Sequence, residues 1–151
     1  MTNTQKIRVT KVFSFDMAHA LFGHDGPCKN IHGHTYHLSV TLLGEVIHEL
    51  NHPKDGMVID FTDFKQIVNA EIIEKFDHSL TLNQNSPHAE IQGLHQHFDK
   101  VNYVPYQPSC ENLLVEFQQR IQTNLPTHLT LHNIKLQETP SSYAEWFATD
   151  N

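Results

Sequence analysis

Two stretches of this chain alternate apolar and polar residues with a period of two, and both stripes run into histidines. Over residues 6–15, Ile7, Val9, Phe13 and Phe15 share one parity while Arg8, Thr10 and Ser14 take the other. Further on, Tyr36, Leu38, Val40 and Leu42 share one parity, and Thr35, His37, Ser39 and Thr41 the other. Successive side chains of a strand leave opposite faces, so both stretches read as half-buried β-strands. The turn-rich Gly23-His-Asp-Gly-Pro27 between them predicts an antiparallel pair. His32 and His34 sit on the apolar parity of the second strand. Steps of two from Phe15 reach Met17 and then His19 on the apolar parity of the first. Neighbouring strands run under ~5 Å apart, so His19 can meet the pair. Any one of these residues alone reads as an ordinary histidine beside a turn. Their shared inward parity instead points to a zinc ion, with nitrogen ligands about 2.0–2.1 Å away. With no fourth protein ligand at hand, such a site keeps an open, catalytic position.

The rest of the chain predicts two helices and two further strands. Asp60 or Thr62 can cap a helix over residues 61–75, with Phe64, Ile67, Val68 and Ile72 on one stripe. Ser109 is the cap expected for a second helix, faced by Leu113, Leu114, Phe117 and Ile121 and followed by Pro126. Strand-like pieces at 128–138 and 143–147 are divided by Pro140. The order strand, strand, helix, helix, strand, strand predicts an α+β fold, helices on one face of an antiparallel sheet, as a single domain over residues 1–151. Four strands leave two sheet edges, and self-association would cover them.

Composition narrows the function classes. A net charge of −7 is the wrong sign for gripping a phosphate backbone, so no nucleic-acid partner is expected. No apolar run approaches ~20 residues, so no membrane span is expected. The polar start lacks a signal peptide's hydrophobic stretch, and two cysteines build no disulfide framework; the expected location is cytoplasmic.

Three further places carry groups suited to proton chemistry. Cys28, four residues before His32 in a Gly-rich loop, has a setting in which access and a lowered pKa are both possible; Cys110 at the start of the second helix reads as structural. Asp77 precedes His78, and a carboxylate can hold an imidazole in one tautomer as a general acid or base. Glu138 shares a parity with Ile134 and Leu136. Either the strand ends early and Glu138 is solvated, or this costly inward carboxylate accepts two hydrogen bonds from adjacent N–H donors, as on the edge of a guanidine-like heterocycle. The remaining histidines, 24, 37, 48, 52, 88, 95, 97, 128 and 132, read as surface residues.

Taken together, Phe15-Asp-Met-Ala-His19, Cys28-Lys-Asn-Ile-His-Gly-His-Thr-Tyr36, Asp60-Phe61, Phe76-Asp-His-Ser-Leu80, Pro108-Ser-Cys-Glu-Asn112 and Glu138-Thr-Pro-Ser-Ser142 resemble the 6-pyruvoyltetrahydropterin synthase superfamily. Within it, the four-residue interval from Cys28 to His32 is similar to that of the bacterial 6-carboxy-5,6,7,8-tetrahydropterin synthase branch of queuosine biosynthesis. The resemblance implies a T-fold: a ββααββ protomer that assembles into a barrel, as a homohexamer built from two trimers with sites at subunit interfaces. It implies that His19, His32 and His34 bind Zn2+. It also implies that Cys28, Asp77 and His78 are catalytic, and that Glu111 and Glu138 hold the pterin. The implied reaction converts 7,8-dihydroneopterin triphosphate to 6-carboxy-5,6,7,8-tetrahydropterin, releasing acetaldehyde and triphosphate. The alternatives are pyruvoyl-tetrahydropterin formation with the side chain retained, and zinc or pterin binding without turnover. Met17 and Ser109-Cys110 depart from the commoner residues of these motifs, and residues 84–107 are longer than in compact members.

Overall fold

The first two strands lie against each other without a break in register. In the computed structural model, which describes residues 4–151, β1 (Lys6–His19) and β2 (His32–Glu45) pair antiparallel from Lys6 opposite Glu45 to His19 opposite His32. An uninterrupted ladder keeps parity, so Phe13, Phe15 and Met17 stay buried with Tyr36, Leu38, Val40 and Leu42. The Phe15 and Tyr36 rings stack at 5.2 Å.

The expected first helix is α1 (Phe61–Val68), continued by a π turn (Asn69–Ile73) and the short α2 (Glu74–Phe76). Asp60, not Thr62, is its cap: the carboxylate accepts from the Thr62 N–H at 2.8 Å. Phe64, Val68, Ile72 and Phe76 are all buried. A spacing of four advances about 40° per step around an α-helix, and the wider π turn takes part of that drift back.

The segment after α2 departs from expectation. It contributes β3 (Ser79–Asn83), α3 (Leu94–His97) and β4 (Val101–Val104). β3 runs parallel to β1, and β4 parallel to β3, so the sheet is mixed rather than antiparallel, with six strands in the order β4-β3-β1-β2-β5-β6. Strands of five and four residues are too short to show a period, and parallel pairing joins them to partners remote in sequence. Residues 84–107 are therefore structured, not an open loop.

α4 (Cys110–Asn124) starts at its expected cap, with Ser109 Oγ accepting from the Asn112 N–H at 3.2 Å. Its Phe117 ring meets Phe15 at 6.0 Å and Phe76 at 4.9 Å, locking α2 and α4 onto the same face of the sheet. β5 (Thr130–Thr139) pairs with β2, and β6 (Ser142–Phe147) closes the far edge. Leu131 stands opposite Leu42 and Asn133 opposite Thr41, so His132 is one residue extra in the ladder. That bulge lets odd-numbered Leu129 and Leu131 and even-numbered Ile134 and Leu136 all face the core. The solved structure described below has this T-fold.

Candidate active site

The register that buries the apolar stripe also ends it in imidazoles. His19 is the last residue of β1 and lies opposite His32, the first of β2; His34 lies opposite Met17. One ligand nitrogen from each histidine falls within 4.8 Å of the others. His19 Nε2 and His32 Nε2 are 3.1 Å apart. On the far side of each ring a main-chain carbonyl waits: Pro108 O is 2.7 Å from His19 Nδ1, and Asn30 O is 2.8 Å from His32 Nδ1. A carbonyl only accepts, so each Nδ1 carries the proton and, in the neutral rings, both Nε2 atoms turn lone pairs toward each other. Burial holds the His19 pKa below its ordinary value, against the opposing pull of the Pro108 carbonyl. Lone pairs this close repel unless a cation lies between them. Zinc–nitrogen bonds of about 2.0–2.1 Å at tetrahedral angles place ligand atoms about 3.3 Å apart, close to the spacing found. The outer carbonyls fix tautomer and ring orientation, as second-layer partners of a metal do. The donor set therefore fits a divalent cation that favours nitrogen.

Glu138 stands beside these rings. β5 continues through it to Thr139, so the strand does not end early. Its Oε1 lies 3.6 Å from both His19 Nε2 and His34 Nε2 and accepts from the Tyr36 hydroxyl at 3.3 Å. Burial, then the neighbouring carboxylate, push the Tyr36 phenol up, so it remains a donor. The carboxylate is still 24% exposed and opens on a cavity of about 340 Å³ lined by His34, His37 and Pro140 among others.

Cys28 lies in a single 3-10 turn (Pro27–Lys29) of the β1–β2 connection and is partly buried. Its carbonyl accepts from the Leu21 N–H at 2.9 Å, which ties the loop back to the end of β1. The other cysteine differs. Burial, with Glu138 and Glu111 nearby, pushes the Cys110 thiol up to about 12, and its Sγ lies 3.3 Å from the Leu136 carbonyl. A thiol so placed is a packing group at neutral pH. Glu111 stands exposed in the first turn of α4.

Asp77 and His78 form a dyad, His78 Nδ1 lying 2.9 Å from Asp77 Oδ1. The Asp16 N–H also donates to Asp77 Oδ1 at 2.9 Å, the His78 N–H donates to the Asp16 carbonyl at 2.7 Å, and Lys100 Nζ donates to the Asp77 carbonyl at 2.6 Å. These bonds hold His78 in a left-handed turn with φ of 59°. Burial raises the Asp77 pKa, but the Asp16 N–H and His78 outweigh it, and the carboxyl sits below its ordinary value. The imidazole is 76% exposed. Beside it opens a cavity of about 970 Å³, lined by Asp16, His34, Thr35, His78, His97 and Lys100 among others.

The dyad and the three histidines form two separate clusters. Asp16, which anchors Asp77, is opposite Thr35 and on the exposed parity, whereas Met17, His19 and His34 are on the other. Tyr36, Asp16, Lys100 and the Pro108 carbonyl escaped the sequence reading. A phenol within an aliphatic stripe was the one available signal; main-chain groups leave none. His88, expected at the surface, instead has its Nδ1 buried without a partner among the described residues.

Residues 8–148 match the model of a family described as 6-pyruvoyl tetrahydropterin synthase. The 6-carboxy-5,6,7,8-tetrahydropterin synthase of Haemophilus influenzae is 38% identical over 141 residues, covering 92% of this chain and 97% of the relative. That of Rickettsia bellii is 35% identical over 143 residues, covering 92% and 99%. The solved structure of Caenorhabditis elegans 6-pyruvoyl tetrahydropterin synthase superposes with a TM-score of 0.67 at 22% identity, covering 98% of this chain and 99% of that one.

Proposed function

Because the chain belongs to the 6-pyruvoyl tetrahydropterin synthase family, we propose that it is a zinc-dependent lyase that converts 7,8-dihydroneopterin triphosphate to 6-carboxy-5,6,7,8-tetrahydropterin, with release of acetaldehyde and triphosphate, in queuosine biosynthesis. The observation that carries this reading is the facing pair of bare Nε2 atoms at the joined ends of β1 and β2, with Glu138 alongside. Likeness to the named relatives supports the product, a carboxylated tetrahydropterin.

His19, His32 and His34 would hold the cation. Bound there, zinc would supply Lewis-acid polarisation that makes protons on the substrate side chain easier to remove. Cys28 takes a proton at the side-chain carbons as thiolate, or delivers one there as thiol. His78 is the partnering acid or base, its tautomer set by Asp77 and its backbone held by Asp16 and Lys100. Glu138, braced by the Tyr36 hydroxyl, accepts adjacent N–H groups of the pterin, and Glu111 helps to hold the ring. Lys11, Lys29 and residues of a second copy are candidates for the triphosphate.

Since the dyad and the three histidines form separate clusters, we infer that a second copy brings its own Asp77 and His78 to Cys28. Open strand edges invite such assembly: β3 covers only Met17–His19 of β1, and β6 has no outer neighbour among the described residues. The proposed assembly is a homohexamer of two trimers in the cytoplasm. No helix of the described residues is long and apolar enough to cross a membrane.

Incubation with dihydroneopterin triphosphate, with acetaldehyde assayed and the pterin identified by mass, tests the reading. Acetaldehyde in step with a carboxylated pterin is expected. A pyruvoyl product without acetaldehyde would reassign the reaction, and binding without turnover would make this a zinc or pterin carrier.

A further inference from the structure

Apart from Lys100, residues 84–107 have no part in the chemistry above, yet the last of them reaches the loop that carries Cys28. Gln107 Nε2 donates to the Phe22 carbonyl at 2.8 Å, and the Phe22 N–H donates to Gln107 Oε1 at 3.2 Å. One primary amide thus pairs with both backbone groups of a single residue, as a neighbouring strand would. Phe22 directly follows Leu21, whose N–H holds the Cys28 carbonyl at 2.9 Å. The Phe22 ring, 46% exposed, meets His88 edge-on at 5.3 Å.

Gln107 is itself fixed. Its carbonyl accepts from the Ser109 N–H at 2.7 Å and from Asn112 Nδ2 at 3.0 Å, at the head of α4. The next residue, Pro108, gives its carbonyl to His19 Nδ1 at 2.7 Å. Two adjacent residues therefore grip the two halves of the site: Pro108 orients a ring of the histidine cluster, and Gln107 the loop of the thiol.

We propose that Gln107 is a positioning residue for Cys28, its amide clamping Phe22 and so fixing where the thiol stands relative to the three histidines. The inference rests on the role proposed for Cys28. It requires an amide in particular. Alanine leaves both Phe22 groups without a partner, and a carboxylate of the same shape presents an acceptor to the Phe22 carbonyl.

The test compares Q107A, Q107E and C28A in the full-length protein: steady-state kinetics with dihydroneopterin triphosphate, metal content, and amide exchange by mass spectrometry. Q107A and Q107E are expected to lose about ten- to a hundredfold in kcat, with KM held within about twofold and metal retained. Amides of residues 21–28 should exchange faster while those of β1 and α4 do not change. The isosteric Q107E carries the test if Q107A fails to fold. A Q107E enzyme with parental kcat, or one losing metal and global stability in step with kcat, overturns the proposal. An inactive C28A beside a fully active Q107E removes this inference alone; a fully active C28A removes the role of Cys28 and this inference with it.

Discussion

Tyr36 joins packing and chemistry in one side chain. Its ring stacks on Phe15 while its hydroxyl donates to Glu138. Tyr36→Phe keeps the ring and removes the hydrogen bond, so unfolding in denaturant should show a loss of about 0.5–1.5 kcal/mol. If Glu138 holds the pterin, KM for dihydroneopterin triphosphate should rise by a comparable free energy, about two- to tenfold, with kcat little changed. A KM at the parental value would detach Glu138 from substrate binding. The two cysteines teach the same lesson about environment. Cys110 is silenced by burial, whereas Cys28 sits partly buried within a short turn. Their contrast was legible from neighbours in the sequence, because a Gly-rich loop and a helix start impose different surroundings.

At the scale of the element, parity did most of the work. β1 and β2 keep their stripes because their ladder has no bulge over its whole length. β5 needed a bulge at His132 to do the same, and that bulge joins two apolar runs of opposite parity. The α1 cap offers a test of charge. The Lys54 ammonium, at 2.5 Å, and then the Thr62 N–H hold the Asp60 carboxyl below its ordinary value of 3.8. A carboxyl held low in the fold binds fewer protons than in the unfolded chain. The stability it contributes is therefore complete above pH 3.8 and is lost as pH falls through its lower folded value. Melting temperatures of the parent and Asp60→Asn should accordingly differ most near neutrality and converge as the pH is lowered below about 4. A constant gap down to pH 3 would show that the carboxylate's charge is not what the cap uses. β3 and β4 were invisible at this scale, since they are strands only by virtue of the parallel neighbours they find.

Across the whole molecule, groups that the proposed reaction needs together stand in two separate clusters. His19, His32 and His34 converge where β1 and β2 join, and Asp77 and His78 are held by the main chain of Asp16. If the site is completed between copies, C28A and His78→Ala are each inactive alone. Mixed, dissociated and reassembled at equal amounts, they should regain about one quarter of parental activity, because random pairing gives that share of sites an intact thiol and an intact dyad. Native mass spectrometry of mass-labelled copies confirms that exchange took place. Exchange without recovered activity would place Cys28 and His78 in one copy's own site.

The sequence by itself determined what repeats along the chain: the strand parities, the stripes and caps of the helices, and the convergence of three histidines whose positions differ from the core residues by steps of two. Those follow from local geometry, which a periodic pattern records. Tertiary structure alone decided the parallel β3 and β4, the main-chain bonds of Asp16 that hold Asp77 and His78, and the carbonyls of Pro108 and Asn30 that set the imidazole tautomers. The reason is physical. Main-chain acceptors and short parallel strands are the same in every sequence until long-range packing brings their partners to them.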